Sequence, residues 1–549
     1  MAEESEIIDL ALPPEKARLR HAVALLVTLA GLAYAIYLAG QSNGFYHDDD
    51  ITHYLFARNA WHSGKAMWHW WARPGYNLPT MVAVHFGGVW GARLFSAVQT
   101  AAVAFLAYLI AVLMCRKARY SPWVAVLAPA LVWAQPLTMT LAITTLTETP
   151  AALYLTLATW LYLRGNRIWA CAALSACFIT RIEMTALAGI FALAIVYDAL
   201  RDANWDVARM LRTRWVWLAL AAMLWAPLMQ IVGSAAAQLR PGDSVMELFS
   251  KHFTDEYGQG RLTHFTQNWL YQAGAGTAGL AVAGMLALRR RALLVTALTL
   301  GLLAVHTVIF FRGSFASGGY PRFLVPLSGL TAALAACAIA EAARRRRYLS
   351  IEAVYLFLAA GLLVAPRYSD VLTWDQAFDY VYLMLGLCIV VGLLRNTRFG
   401  PLAGMATVGL ALGCIYMQDH QIVHPLLLRD QPYYQAVADV MHDVDHAGRQ
   451  DHPALTTHVL VPMLHEPTKI VDDAFDAQWR WERAPAGTIF LWDDKYGGKS
   501  TTTHPVSMLH DSLTEHGKLL ASVHEECCWV EAYERKEDGQ ENRPIALDR

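Results

Sequence analysis

Charge is scarce in this chain. Asp, Glu, Lys and Arg make up only 16% of its 549 residues, hydrophobic residues reach 56%, and mean hydropathy is +0.31. That balance excludes an ordinary soluble domain and a disordered one. Cysteine is sparse as well, with 8 residues and no CxxC pair, so no zinc ribbon or thioredoxin-type motif is spelled out. There is no P-loop, no GxGxxG opening a helix, no G-x-S-x-G elbow and no HExxH, which removes a nucleotide cradle and argues against ATP-driven transport. Internal repeats and low-complexity tracts are missing too. No cleavable signal peptide is expected, because the acidic then basic N-terminus leads into an apolar run long enough to span and stay.

Long apolar runs are what the chain does have. Lys16, Arg18 and Arg20 precede the first, His21 to Gly40, and place the N-terminus in the cytoplasm. Further runs cover about Gly91–Met114, Trp123–Ile143, Pro150–Leu163, a region ending near Gly233, Leu270–Leu288, Leu293–Phe311 and a stretch from Phe323. Arg clusters at Arg164–Arg167, Arg201–Arg214, Arg289–Arg291, Arg344–Arg347 and Arg395–Arg398 all fall on one side of the resulting topology. The expectation is an α-helical polytopic membrane protein of about 13 transmembrane helices, N-terminus in and C-terminus out. Its parts are a cytoplasmic N-terminus (1–20), a transmembrane domain (21–417) with a first outer loop at 41–90, and a small α/β extracytoplasmic domain (418–549). Residues 167–198 are too long for one span and read as a helical hairpin with Arg181 and Glu183 at its outer bend, either as a salt bridge or as part of a site.

The first outer loop carries the strongest chemical signal. Asp48, Asp49 and Asp50 follow an apolar helix directly, and adjacent carboxylates beside a bilayer repel one another and resist desolvation. One of them can act as a general base toward an acceptor hydroxyl or amine. Together they could hold a divalent cation, Mg or Mn, beside a phosphate, or simply cap the helix that follows. That helix brings His53 and places Ile51, Tyr54, Leu55, Arg58 and Trp61 near one face. Downstream lie Trp70, Trp71, Arg73, Pro74 and Tyr76, aromatic surfaces next to a rigid cationic corner. Interfacial anchoring accounts for part of this, while stacked sugars and a phosphate diester suit the rest. Tyr320 and Arg322, in GGYPRFLVP, supply a second cation at an outer mouth.

The tail holds about half of the acidic residues. It reads as helix 433–446, with Val437, Val440, Met441 and Val444 on one face, followed by short strands around ALTTHVLVPML, GTIFLWDD, KLLASVHE and CCWVEAYE and a helix at SMLHDSLTEHG. His442 and His446 stand at i, i+4 without an identifiable third ligand, so a solvated face is the simpler reading. Cys527 and Cys528 are adjacent and open to a disulfide or a metal role.

These motifs resemble the GT-C superfamily of membrane glycosyltransferases, in particular the aminoarabinose and protein O-mannosyl transferases. Asp49-Asp50 takes the family's acidic position, Ala57-Arg58 its Ala/Ser-Arg pair, Arg73-Pro74 its cationic corner, FITRIEM its Thr-Arg-x-Glu tip, and YPRFLVP its Arg-Tyr-Leu-x-Pro stretch. Three Asp stand where the family has Asp-Glu, which leaves the base between Asp49 and Asp50, with Asp48 beside them. The resemblance implies a polyprenyl-phosphate sugar donor, an envelope glycan, lipid or protein acceptor, and inversion at the sugar. It implies Arg73, Arg58, Arg322 and Arg181 around the donor phosphate, and His53, Tyr54, Trp70, Trp71, Tyr76, Glu183 and Tyr320 lining the substrates. It commits to no metal and no nucleic acid. Rival expectations are a lipid or glycan flippase, which would show repeats and deep ionisable residues, and an oligosaccharide polymerase or ligase.

Overall fold

The computed structural model describes residues 14–62, 64–68, 73–117, 122–238, 259–313, 318–345, 423–449, 452–456, 481–494 and 510–536. Two compact units emerge, one of Met1–Gly40 with Ala60–His424, the other of Gln41–Asn59 with Pro425–Arg549. α1, Pro14–Gln41, leads out of the first unit; α2, Asp48–Asn59, belongs to the second; α3, Gly64–Trp68, returns to the first.

The first unit is a helical bundle. It continues with α4 (Pro74–Lys117), α5 (Leu127–Trp133), α6 (Pro136–Leu141), α7 (Glu148–Leu163), α8 (Arg167–Thr180), α9 (Leu187–Asp202), α10 (Val207–Leu211) and α11 (Arg214–Gln238). α12 (His264–Ala273), α13 (Ala275–Leu288), α14 (Leu293–Arg312) and α15 (Ser328–Arg345) follow. Among the described residues, 6 helical stretches are long and apolar enough to cross a membrane: Glu15–Gln41, Pro74–Arg116, Ile182–Asp202, Arg214–Ala236, Gly276–Arg312 and Pro321–Glu341.

That is fewer than the 13 expected, for identifiable reasons. The runs predicted between 346 and 417 lie outside the described residues. The run predicted over Trp123–Ile143 is cut in two, because Pro136 lacks an N–H and forces Gln135 into an extended conformation (φ −85°, ψ 112°). The run from Leu270 breaks at Gly274, where φ is 73°. α7 and α8 have only 16 and 14 residues. The hairpin over 167–198 is present, with Arg181 and the 3-10 turn Ile182–Ala186 between α8 and α9.

In an apolar bundle every break must have its backbone groups satisfied internally. The Gln135 amide donates to the carbonyls of Leu131 (3.1 Å) and Ser328 (2.9 Å), and accepts from Gln272 Nε2 (3.0 Å), which also donates to Thr138 (3.1 Å). α5, α6, α12 and α15 are thereby locked at one point. α15 is the central element. Ala332, Ala333, Ala335 and Ala336 are fully buried, and a Cβ on Gly284 of α13 would fall 2.2 Å from the Leu334 carbonyl oxygen. Only small residues allow two backbones that close.

The second unit joins the loop after α1 to the C-terminal domain. Gly44 N donates to Leu426 O (2.7 Å), Leu426 N to Ser42 Oγ (2.9 Å) and Leu428 N to Asn43 Oδ1 (3.0 Å). The Gln431 amide bonds both the N–H and the carbonyl of Phe45. α16 (Pro432–His446) buries Val437, Val440, Met441 and Val444, as its periodicity predicts. The sheet has strands β1 (Ala454–Thr456), β2 (Ile489–Asp493), β3 (Gly517–Glu525) and β4 (Cys528–Arg535), with α17 (His510–His516) preceding β3. Strand order is β1-β2-β4-β3, with β1 parallel to β2 and the other pairs antiparallel. One core gathers Leu455, Trp481, Phe490, Trp492, Leu513 and Tyr533. Cys527 and Cys528 are bonded to each other at the β3–β4 turn.

Candidate active site: a buried ionic cluster and an acidic loop

Four charged side chains meet inside the bundle. Glu148 begins α7 and is 1% exposed; Arg322 lies in the 3-10 turn Pro321–Leu327 and is 3% exposed. Arg181 Nη1 lies 2.6 Å from Glu148 Oε1 and 3.3 Å from Thr147 Oγ1, and the same guanidinium pairs with Glu183. Arg322 Nε approaches the same Glu148 oxygen at 3.4 Å. Two cations and two anions cancel, which is how this many charges can be held away from water.

An aromatic frame surrounds the cluster. The Arg181 guanidinium sits 4.5 Å from the Phe323 ring centroid, and that of Arg322 sits 4.9 Å from Tyr320. His306 of α14 stacks on Phe323 at 5.6 Å. Gly319, just before Tyr320, is tied down. Its carbonyl accepts from Asn268 Nδ2 (2.8 Å) and lies 2.7 Å from His264 Nε2. Arg73 adopts φ 55° immediately before Pro74, a conformation that both its own Cβ and the following proline disfavour. Its carbonyl accepts from Tyr76 N (2.8 Å) and Asn77 N (3.0 Å), and so starts α4. Tyr76 itself is buried.

The acidic loop is built differently. α2 starts at Asp48, as expected. Asp50 is fully buried and its carboxylate accepts from Tyr46 N at 2.9 Å, closing the turn that enters the helix. Asp49 is 28% exposed, with its carboxylate 3.9 Å from His47 Nδ1. Ile51, Tyr54 and Leu55 are buried on one face, and His53 is buried as well. Burial raises the Tyr54 phenol above its ordinary pKa, while the Arg58 charge opposes the rise. Trp61 falls beyond the helix end and is 40% exposed. Trp70 and Trp71 lie outside the described residues.

Among the described residues no group of three or more His, Cys, Asp or Glu side chains is arranged to hold a metal ion. The fold brings Arg181, Glu183, Tyr320 and Arg322 together. Glu148, which joins the two arginines, and His306 were missed. The only sequence signal for Glu148 is a lone acid in an otherwise uncharged TTLTETP stretch.

The fold has a counterpart among solved structures. The crystal structure of ArnT from Cupriavidus metallidurans bound to undecaprenyl phosphate matches at TM-score 0.56, covering 95% of this chain and 98% of that one at 16% identity. The chain shares the fold of this ArnT structure. The same ArnT in the apo state matches at TM-score 0.54 and 17% identity, over 94% of this chain and 98% of that one. No protein-family model matches the sequence, and no curated protein is similar to it at the level of sequence. Within this fold, the Thr-Arg-x-Glu tip and the YPRFLVP stretch are the two motifs joined through Glu148.

Proposed function

We propose that this protein is a membrane glycosyltransferase that moves a sugar from a polyprenyl-phosphate donor to an envelope glycan, lipid or protein acceptor. The observation that carries the reading is the match over nearly the full length of both chains to an ArnT structure bound to undecaprenyl phosphate. The active site and the C-terminal domain are assigned to the outer face, because the Arg-rich turns favour the cytoplasm.

In the reaction, an acceptor hydroxyl or amine attacks the anomeric carbon with inversion. The new bond to the acceptor forms as the bond to the phosphate oxygen breaks. The acceptor proton passes to a first-loop carboxylate, and the lipid phosphate leaves with the electron pair. Asp49 is the preferred base. Asp50 spends its carboxylate on the Tyr46 amide and is sealed from solvent, whereas Asp49 is partly open. Arg73, Arg322, Arg58 and Arg181 are the candidate cations for the departing phosphate, where fixed positive charge in a dry site lowers the barrier. Arg181 is the weakest of the four, because Glu148 and Glu183 already engage it. The buried Glu148 orients the arginine pair.

The test is transfer by the purified protein in proteoliposomes supplied with a panel of polyprenyl-phosphate sugars and envelope-lipid extract. Donor-dependent product supports the reading. Movement of an intact lipid-linked sugar between leaflets, with no product, would point to a flippase.

A further inference from the structure

A second polar site lies in the C-terminal sheet, apart from the ionic cluster. Glu531 sits in the middle of β4 and is 5% exposed. Strand alternation puts it on the face that carries Trp529 and Tyr533, with Trp492 opposite on β2 and Ser522 opposite on β3. One carboxylate oxygen is fully occupied, since Tyr533 OH and His510 Nε2 each lie 2.6 Å from Oε2. The other is not. Ser522 Oγ is 3.4 Å and His524 Nε2 is 3.5 Å from Oε1, both long for a hydrogen bond of this type. A carboxylate offers about four acceptor positions, so Oε1 retains capacity for closer donors.

The rim of this carboxylate is open and aromatic. The His524 side chain is 58% exposed and its ring lies 4.6 Å from the half-buried Trp529. Trp529 in turn packs against Trp492 at 5.2 Å. A sheet that needed only stability would be served as well by apolar residues, because burying a carboxylate is costly unless it is fully hydrogen-bonded. A carboxylate oxygen with acceptor capacity to spare beside an aromatic face is chemistry that holds a pyranose, whose hydroxyls donate and whose C–H face meets the negative face of an indole.

We propose that Trp529, Glu531 and His524 form a saccharide-binding site in which a pyranose stacks on Trp529 and donates hydroxyls to Glu531 Oε1. Its natural occupant is a sugar of the acceptor glycan, an assignment that rests on the glycosyl-transfer reading above.

The test uses the full chain in nanodiscs, free of glycosidic detergent, with methyl glycosides of glucose, galactose, mannose and arabinose as probes. Calorimetric titration is expected to show binding of at least one glycoside in the absence of any donor. Trp529→Ala, Glu531→Gln and His524→Ala should each weaken it, the first two by about tenfold or more. His524 is exposed, so its variant retains the fold and decides the matter if Glu531→Gln does not. Binding by none of the glycosides, or unchanged binding in Trp529→Ala and His524→Ala, overturns the site. Binding without any sugar transfer upholds the site while contradicting the proposed reaction, and transfer with unaltered acceptor KM in the variants does the reverse.

Discussion

Glu148 Oε1 lies 2.6 Å from Arg181 Nη1 and 3.4 Å from Arg322 Nε. One buried carboxylate oxygen thus ties the tip of a helical hairpin to the turn that opens the central helix. Its partner atom Oε2 makes no hydrogen bond among the described residues. Removing the carboxylate leaves two arginines facing each other in a dry environment. Glu148→Ala is therefore expected to destabilise the bundle by about 3–5 kcal/mol, read as a lowered thermal transition of the purified protein. Glu148→Gln should lose less, because the amide oxygen still accepts a hydrogen bond. A Glu148→Ala protein as stable as wild type would show that the ionic cluster carries no structural weight.

Close backbone approach makes a second prediction. Gly284 faces the Leu334 carbonyl across α13 and α15, with 2.2 Å available to a Cβ. Gly284→Ala should force these helices apart and reduce the yield of monodisperse protein, and Gly284→Leu should abolish it. Wild-type yield and melting of Gly284→Leu would contradict the packing.

The clasp between the first loop and the C-terminal domain is testable at Gln431. Its side-chain amide bonds both backbone groups of Phe45. Gln431→Ala removes both of these part-buried hydrogen bonds, at a cost of about 1–3 kcal/mol. The expected consequence is faster proteolysis or hydrogen exchange in residues 42–50, with the bundle unaffected. Unchanged exchange there would mean that the clasp is dispensable.

Acid should loosen the C-terminal sheet. Burial alone would raise the Glu531 pKa, but hydrogen bonds from Tyr533 and His510 outweigh it and hold the carboxyl below its ordinary value. A depressed folded-state pKa stabilises the domain above the unfolded value, and that contribution is lost as pH falls through the folded one. Wild type should lose stability below about pH 4, the unfolded carboxyl range. Glu531→Gln should be less stable at neutral pH and show a shallower acid dependence. Equal slopes for the two proteins would remove Glu531 from the account.

The sequence made some of this legible and hid the rest for physical reasons. Val437, Val440, Met441 and Val444 repeat at helical spacing because one face of α16 is buried and the other solvated. Inside the bundle that contrast disappears, since lipid and core are both apolar. A single run such as 123–143 therefore gives no warning of its break until Pro136 is weighed. Arg181 and Glu183 stand two residues apart and announce their pairing, but Glu148 and Arg322 are 174 residues apart and meet only through tertiary packing. Asp48–Asp50 is conspicuous in the sequence, yet only the fold separates Asp50, committed to the Tyr46 amide, from the partly open Asp49.

The central claim is that a first-loop carboxylate takes the acceptor proton. Its most direct test is single-turnover transfer from a polyprenyl-phosphate sugar by Asp49→Asn and Asp50→Asn, each matched to wild type for folding. Loss of a general base of this kind lowers the rate by about 10²–10⁴-fold. The account predicts that loss in Asp49→Asn with donor binding retained, and in Asp50→Asn chiefly a drop in stability. Wild-type rates in both variants would contradict it.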